Sequence, residues 1–170
     1  PTNSNTIYVA AYGPVWSEGG ERGVYKSIDG GLTWNAVKTV SNFTGCNDLV
    51  MDPRDPNVLY ASFHQRMRKV FTYIGGGPES ALYKTTDGGK TWENVLFVDE
   101  HTGAVDLALN PQNPEIIFAA FWSIDIKTWG LNSGGAGGGI YRSKDGGATW
   151  EALKDKGLPG GQSNPVGKTS

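Results

Sequence analysis

Three aspartates, Asp29, Asp87 and Asp145, stand 58 residues apart in nearly identical boxes, SIDGGLTW, TTDGGKTW and SKDGGATW. Carboxylates repeated at a fixed spacing invite a catalytic or metal-binding reading. The residues around them answer otherwise. An aspartate followed by two glycines is turn chemistry: the carboxylate accepts N–H bonds from its own turn, and the glycines take the positive φ that a tight hairpin demands. The threonine opens the next strand, and Trp34, Trp92 or Trp150 brings a large apolar surface to pack on it. The boxes read as structural fasteners.

A second pair of carboxylates, Asp48 and Asp106, is also 58 residues apart, at the head of DLVMDPRDPNVLYASF and DLALNPQNPEIIFAAF. Two carboxylates flanking one bond are the device of a glycosidase. These two are the nearest candidates for such catalysis, yet equivalent residues of successive repeats point instead to a repeated structural role, such as bonding a neighbouring loop. No catalytic residue is assigned. His64 and His101 are the only histidines and form no ligand cluster, so neither a metal site nor a cofactor is expected. The GKT near the C-terminus lacks the first glycine of a phosphate loop, where Gln162 stands. The glycine-rich GGAGGG (134–139) precedes a strand rather than a helix, against a dinucleotide site. Cys46 is the only cysteine, a small packed residue that allows no internal disulfide. Asn42-Phe43-Thr44 fits a glycosylation sequon, relevant only in a secreting eukaryote.

The chain that positions these residues has 170 residues, 38% of them hydrophobic, a net charge of −2 and 25 glycines. It is too apolar for disorder, and its acidic balance argues against a nucleic-acid partner. No apolar run is long enough for a membrane helix. The opening PTNSNTIYVAAYG has no charged region followed by an apolar one, so no signal peptide is expected in this stretch.

The repeat is larger than the box. GVYKSIDGGLTW, ALYKTTDGGKTW and GIYRSKDGGATW keep the same 58-residue register, and TIYVAAY matches NVLYASF with a connection six residues shorter. Short β-branched and aromatic runs bounded by PRDPN and PQNPE turns, with no helical spacing over ten positions, predict strands throughout. Each unit reads as four strands, with the box in the turn between the third and fourth. Four antiparallel strands per repeat predict an all-β chain of β-propeller blades.

The S/T-x-D-G-G-x-T-W motif resembles the Asp-box, or bacterial neuraminidase repeat, of sialidases, sortilin-like receptors, xyloglucan-acting endoglucanases and photosystem assembly factors. With DPRDPNVLYAS and VLFVDEHTGAVDL, the chain is similar to secreted propellers of the sortilin-like, glycosyl-hydrolase-repeat group from about Thr6 to Leu158. That resemblance implies an extracellular or periplasmic location. The arginine cluster and R-I-P segment of a sialidase are missing from this sequence.

Units over about 1–40, 41–98 and 99–158 supply three, four and four strands, fewer than the four to eight blades that usually close a ring. A partial propeller is therefore expected, its ring completed by further blades of the same chain or of other subunits, with 159–170 as a connection onward. The face opposite the boxes carries the connections Tyr12 to Arg22, Phe63 to Ser80 and Phe121 to Gly138, expected as long loops. Trp16, Trp122 and Trp129, the tryptophans outside the boxes, lie there with Arg66, Arg68, Lys69, Tyr73, Asp125 and Lys127. Aromatic faces stack on sugars or anchor protein partners, and the RMRK run could grip a carboxylate or sulfate or stay solvated. The ligand-binding candidates are Trp16, Arg66, Arg68, Tyr73, Trp122 and Trp129. The favoured reading is a binding module for a polysaccharide or a protein. The alternatives are a glycoside hydrolase whose catalytic residues lie partly outside this chain, and a scaffold or assembly factor.

Overall fold

The computed structural model describes residues 2–154 and 156–157, so the connection expected over 159–170 and the end of the third unit lie outside the described residues. Fourteen strands and no helix occur among the described residues. The first sheet is β1 (Ile7–Ala11), β2 (Gly23–Ser27) and β3 (Asn35–Lys38), paired in that order. Next come β4 (Thr44–Met51), β5 (Leu59–Lys69), β6 (Thr72–Gly75), β7 (Ala81–Thr85) and β8 (Glu93–Leu96). The last are β9 (Gly103–Leu109), β10 (Ile117–Trp122), β11 (Ile124–Lys127), β12 (Gly130–Ser133), β13 (Gly139–Ser143) and β14 (Glu151–Ala152). Antiparallel pairing orders β4-β5-β7-β8 and β9-β10-β13-β14 as two four-stranded blades. The architecture is all-β, a partial propeller.

Strand pattern explains the packing. Every second residue of a central strand faces one neighbouring blade and the residues between face the other, so these strands are apolar on both sides. Tyr60 and Leu82 of the second blade meet Leu107, Ile117, Ala119 and Phe121 of the third in one buried cluster. Val24 of the first sheet meets Cys46, Ala61 and Phe63 of the second blade in another. Trp92 and Trp150 pack against the margins of these clusters, whereas Trp34 remains 41% exposed.

Polar bonds lock adjacent blades at the box turns. Tyr8 Oη and Lys26 Nζ both donate to the Gly88 carbonyl, each at 2.9 Å. Fifty-eight residues on, Tyr60 Oη and Lys84 Nζ donate to the Gly146 carbonyl at 2.8 and 2.7 Å. The box glycine of one blade is thus held by a phenol and an ammonium of the blade before it. The phenol of Tyr60 is buried and pushed up to about 12, chiefly by desolvation, so it stays a neutral donor.

One sequence expectation is corrected. The connections 63–80 and 121–138 are not loops for most of their length. β5 runs past the blade into a hairpin with β6, β11 and β12 form a second hairpin, and β6 pairs with β11 to join the two. HQRMRKVFTYIG opens on six residues of which all but Met67 are polar or charged, with no regular alternation, which disguised a strand as a loop. The partner that makes it a sheet lies some fifty residues away.

Candidate functional site

The box turns are self-contained. Asp29 Oδ1 accepts from Ser27 Oγ at 2.7 Å and Thr33 N–H at 2.9 Å, while Oδ2 accepts from Thr33 Oγ1 at 2.5 Å. Asp87 and Asp145 repeat the set with Thr85, Thr91, Ser143 and Thr149. Gly30 and Gly31, at φ 74° and 95°, make the left-handed bend. Hydrogen bonds from Thr33 hold the Asp29 carboxyl at about 2, and those from Thr149 hold Asp145 at about 2. Asp87 is held lower still by Thr91. Each carboxylate is occupied by its own turn, and among the described residues no group of histidine, cysteine or acidic side chains could hold a metal ion.

Asp48 and Asp106 sit at β-bulges of the innermost strands β4 and β9. Asp48 Oδ1 accepts from Leu49 N–H at 2.8 Å, and its Oδ2 crosses to Leu107 N–H of the next blade at 2.9 Å. Asp106 Oδ1 accepts from that same Leu107 N–H at 2.9 Å. The two carboxylates converge on one amide, and Asp48 staples β4 to β9. Burial pushes the Cys46 thiol far up, which makes it an inert packed group.

On the opposite face the joined hairpins form a four-stranded sheet in which directly opposed residues share a side and successive rows alternate. One row is Arg68, Tyr73, Ile126 and Leu131; the next is Met67, Ile74, Asp125 and Asn132. The Arg68 guanidinium lies between two rings, 4.7 Å from the Trp16 centroid and 5.4 Å from that of Tyr73. Trp16 is 58% exposed, and Trp129, in the two-residue turn between β11 and β12, is 83% exposed. Trp122 is half-buried and ties its indole N–H to Ser133 Oγ at 3.1 Å.

Arg66 has a different fate from the rest of the RMRK run. It is 5% exposed, stacks 3.3 Å from the Tyr12 ring centroid, and donates through Nη2 to the carbonyls of Tyr12, Gly13 and Pro14. Arg22, equally buried, binds four carbonyls of the same connection. These two guanidiniums order the 12–22 segment and so present Trp16. The structure therefore brings Trp16, Arg68 and Tyr73 together, sets Trp129 at the hairpin tip, and places Arg66 and Trp122 as supports.

Beside the hairpin sheet lies a cavity of about 750 Å3, lined by the row of Met67, Ile74, Asp125 and Asn132, by Arg66, and by the 99–102 connection. Asp99 shapes that connection by accepting from His101 N–H at 2.8 Å. Gly76, at φ 107°, passes so close to the His101 carbonyl that a Cβ there would stand 2.1 Å from its oxygen. Sequence reasoning passed over Asp99, Glu100, Met67, Ile74 and Asn132; nothing in their spacing shows that hairpin pairing gathers them.

Comparison with known proteins sets these features in a family. A xyloglucanase of Paenibacillus sp is 26% identical over 171 residues, spanning 90% of this chain and 15% of the relative. Xyloglucanase Xgh74A of Acetivibrio thermocellus is 29% identical over 180 residues, spanning 93% of this chain and 20% of the relative. The chain thus spans about a fifth or less of these relatives' length. Among solved structures, the GH74 xyloglucanase of Xanthomonas campestris superposes with a TM-score of 0.54 at 20% identity, over 78% of this chain and 17% of that one. The fold is that of a glycoside-hydrolase-related propeller. The family model described as "Sortilin, neurotensin receptor 3" matches residues 22–158, and the chain belongs to this Sortilin-Vps10 family.

Proposed function

We propose that the chain is the polysaccharide-engaging part of a glycoside-hydrolase-related propeller, working outside the cytoplasm, and that the hairpin face is its binding surface. The observation that carries this reading is the aromatic band of that face. The Arg68 guanidinium contacts the rings of both Trp16 and Tyr73, and Trp129 projects from the tip. Pre-ordered indoles lose little freedom when a sugar ring stacks on them, so their area converts efficiently into affinity. The relatives are named xyloglucanases, which makes a xyloglucan-type glucan the first ligand to try. Hydrolysis by the whole protein fits the same reading, with Asp48 acting as a cross-blade staple and Asp106 bonding the next amide of its own strand, rather than the two acting as acid and base.

Affinity electrophoresis in gels containing xyloglucan tests this. Trp16→Ala and Trp129→Ala should each run with reduced retardation, and the double variant should run as in a gel without polysaccharide. Equal retardation of wild type and double variant would remove the hairpin face from recognition.

A further inference from the structure

We propose that the outer edge of β12 is a strand-addition site, and that its occupant is the first strand of a further hairpin, carried by a blade following the third. This goes beyond the polysaccharide reading and does not depend on it. The four-stranded hairpin sheet has two edges, and they are built differently. The β5 edge is guarded. Arg66 N–H donates to the Phe43 carbonyl at 3.0 Å, and its guanidinium binds the carbonyls of Tyr12, Gly13 and Pro14. Arg68 and Lys69 carry charge along the rest of that edge. The β12 edge is bare. Gly130, Leu131, Asn132 and Ser133 are all exposed, with no charge, proline or bulge among them, and no described strand pairs with their outer side. Charges, prolines and bulges keep sheet edges from pairing, so an edge that lacks all three is a template for another strand.

Register identifies the groups left unfilled. Lys127 and Gly130 flank the two-residue turn and form a closely bonded pair, and antiparallel bonding alternates from there. Asn132 therefore bonds inward to Asp125, while the N–H and C=O groups of Leu131 and Ser133 point outward. The preceding hairpin shows how such an edge is filled. β6 turns the same groups of Tyr73 and Gly75 outward, and β11 pairs with it there, Ile126 opposite Tyr73 and Ile124 opposite Gly75. β6 has four residues, as β12 has, so shortness does not prevent the pairing. The side chains agree. Tyr73 and Ile126 are half-buried in their row, whereas Leu131, its last member, is 68% exposed. A strand that sets an apolar residue opposite Leu131 would cover it while extending the ladder. A second copy of the chain cannot repeat this contact, because its β5 edge meets the 12–22 segment and its β11 is paired on both sides.

Hydrogen exchange resolved to single amides, run on the polypeptide as it occurs in its source and on residues 1–170 alone, tests this. The Leu131 and Ser133 amides should exchange freely in 1–170 and at least about tenfold more slowly in the natural polypeptide. Asn132, bonded inward, should be protected in both. Leu131→Pro removes only an outward N–H, so it should leave the urea midpoint of 1–170 unchanged. In the natural polypeptide the same substitution should speed exchange at Ser133 by about tenfold. Equally fast exchange of Leu131 and Ser133 in both chains would overturn the proposal. Protection already present in 1–170 would overturn it as well, and a rise of that protection with protein concentration would identify a second copy as the occupant. Retardation in xyloglucan gels bears on the polysaccharide reading alone.

Discussion

The two faces of this molecule use the same residue types to opposite ends. On the box face each aspartate is satisfied within its own turn, and the turn glycines Gly88 and Gly146 are gripped by a tyrosine and a lysine of the preceding blade. On the hairpin face the second and third units repeat a hairpin, 66–69 with 72–75 and 124–127 with 130–133, but fill it with different residues, and the first unit carries Tyr12 to Arg22 instead. There Trp16 and Trp129 stand exposed. Repetition marks the surface that holds blades together, because every blade needs the same fastening. Departure from repetition marks the surface free to take a ligand.

The sharpest way to break that contrast is to remove a fastening. Tyr60→Ala deletes both the phenol bond to Gly146 and a buried ring, and should cost about 3–5 kcal/mol in urea unfolding. Asp48→Ala deletes the cross-blade staple to Leu107, leaving that amide to Asp106 alone, and should cost about 1–3 kcal/mol by the same measurement. Tyr60→Phe keeps the packing, and Lys84 still reaches the Gly146 carbonyl, so the loss should be only about 1 kcal/mol.

Acid tests the boxes together. An unfolded aspartate titrates near ~3.9, while Asp29 and Asp145 are held at about 2 by their threonines and Asp87 lower. Because the folded values are depressed, the stabilisation is complete above about pH 4 and is lost as pH falls through about 2. Replacing all three aspartates by asparagine should flatten the pH dependence of the urea midpoint across that window; an unaltered slope would show that the boxes do not carry it. At the other end of the scale, Trp129→Ala should change stability by less than about 0.5 kcal/mol while reducing retardation in xyloglucan gels.

Much of the box face was legible in the sequence because its interactions are local. Serine, aspartate, two glycines and threonine within seven residues contain all the partners of the turn, and the 58-residue period shows them repeated. The hairpin face was legible only in its ingredients. Trp16, Arg68 and Tyr73 were named as candidates, yet their stacking depends on buried Arg22 and Arg66 ordering the 12–22 segment, and charge alone suggested that the RMRK run was solvated. The pairing of β6 with β11, and with it the cavity, depends on register between hairpins of different blades, which no local pattern encodes. Asp48 was read as a repeated structural residue before its partner was visible; that its partner is the Leu107 amide could come only from the geometry of the bulges.

Hydrogen exchange followed by mass spectrometry, with and without saturating xyloglucan oligosaccharide, tests the division of labour between the faces most directly. Protection should rise over 66–76 and 122–134, with the boxes at 27–34, 85–92 and 143–150 unchanged. Protection centred on the boxes, with none on the hairpins, would contradict the account.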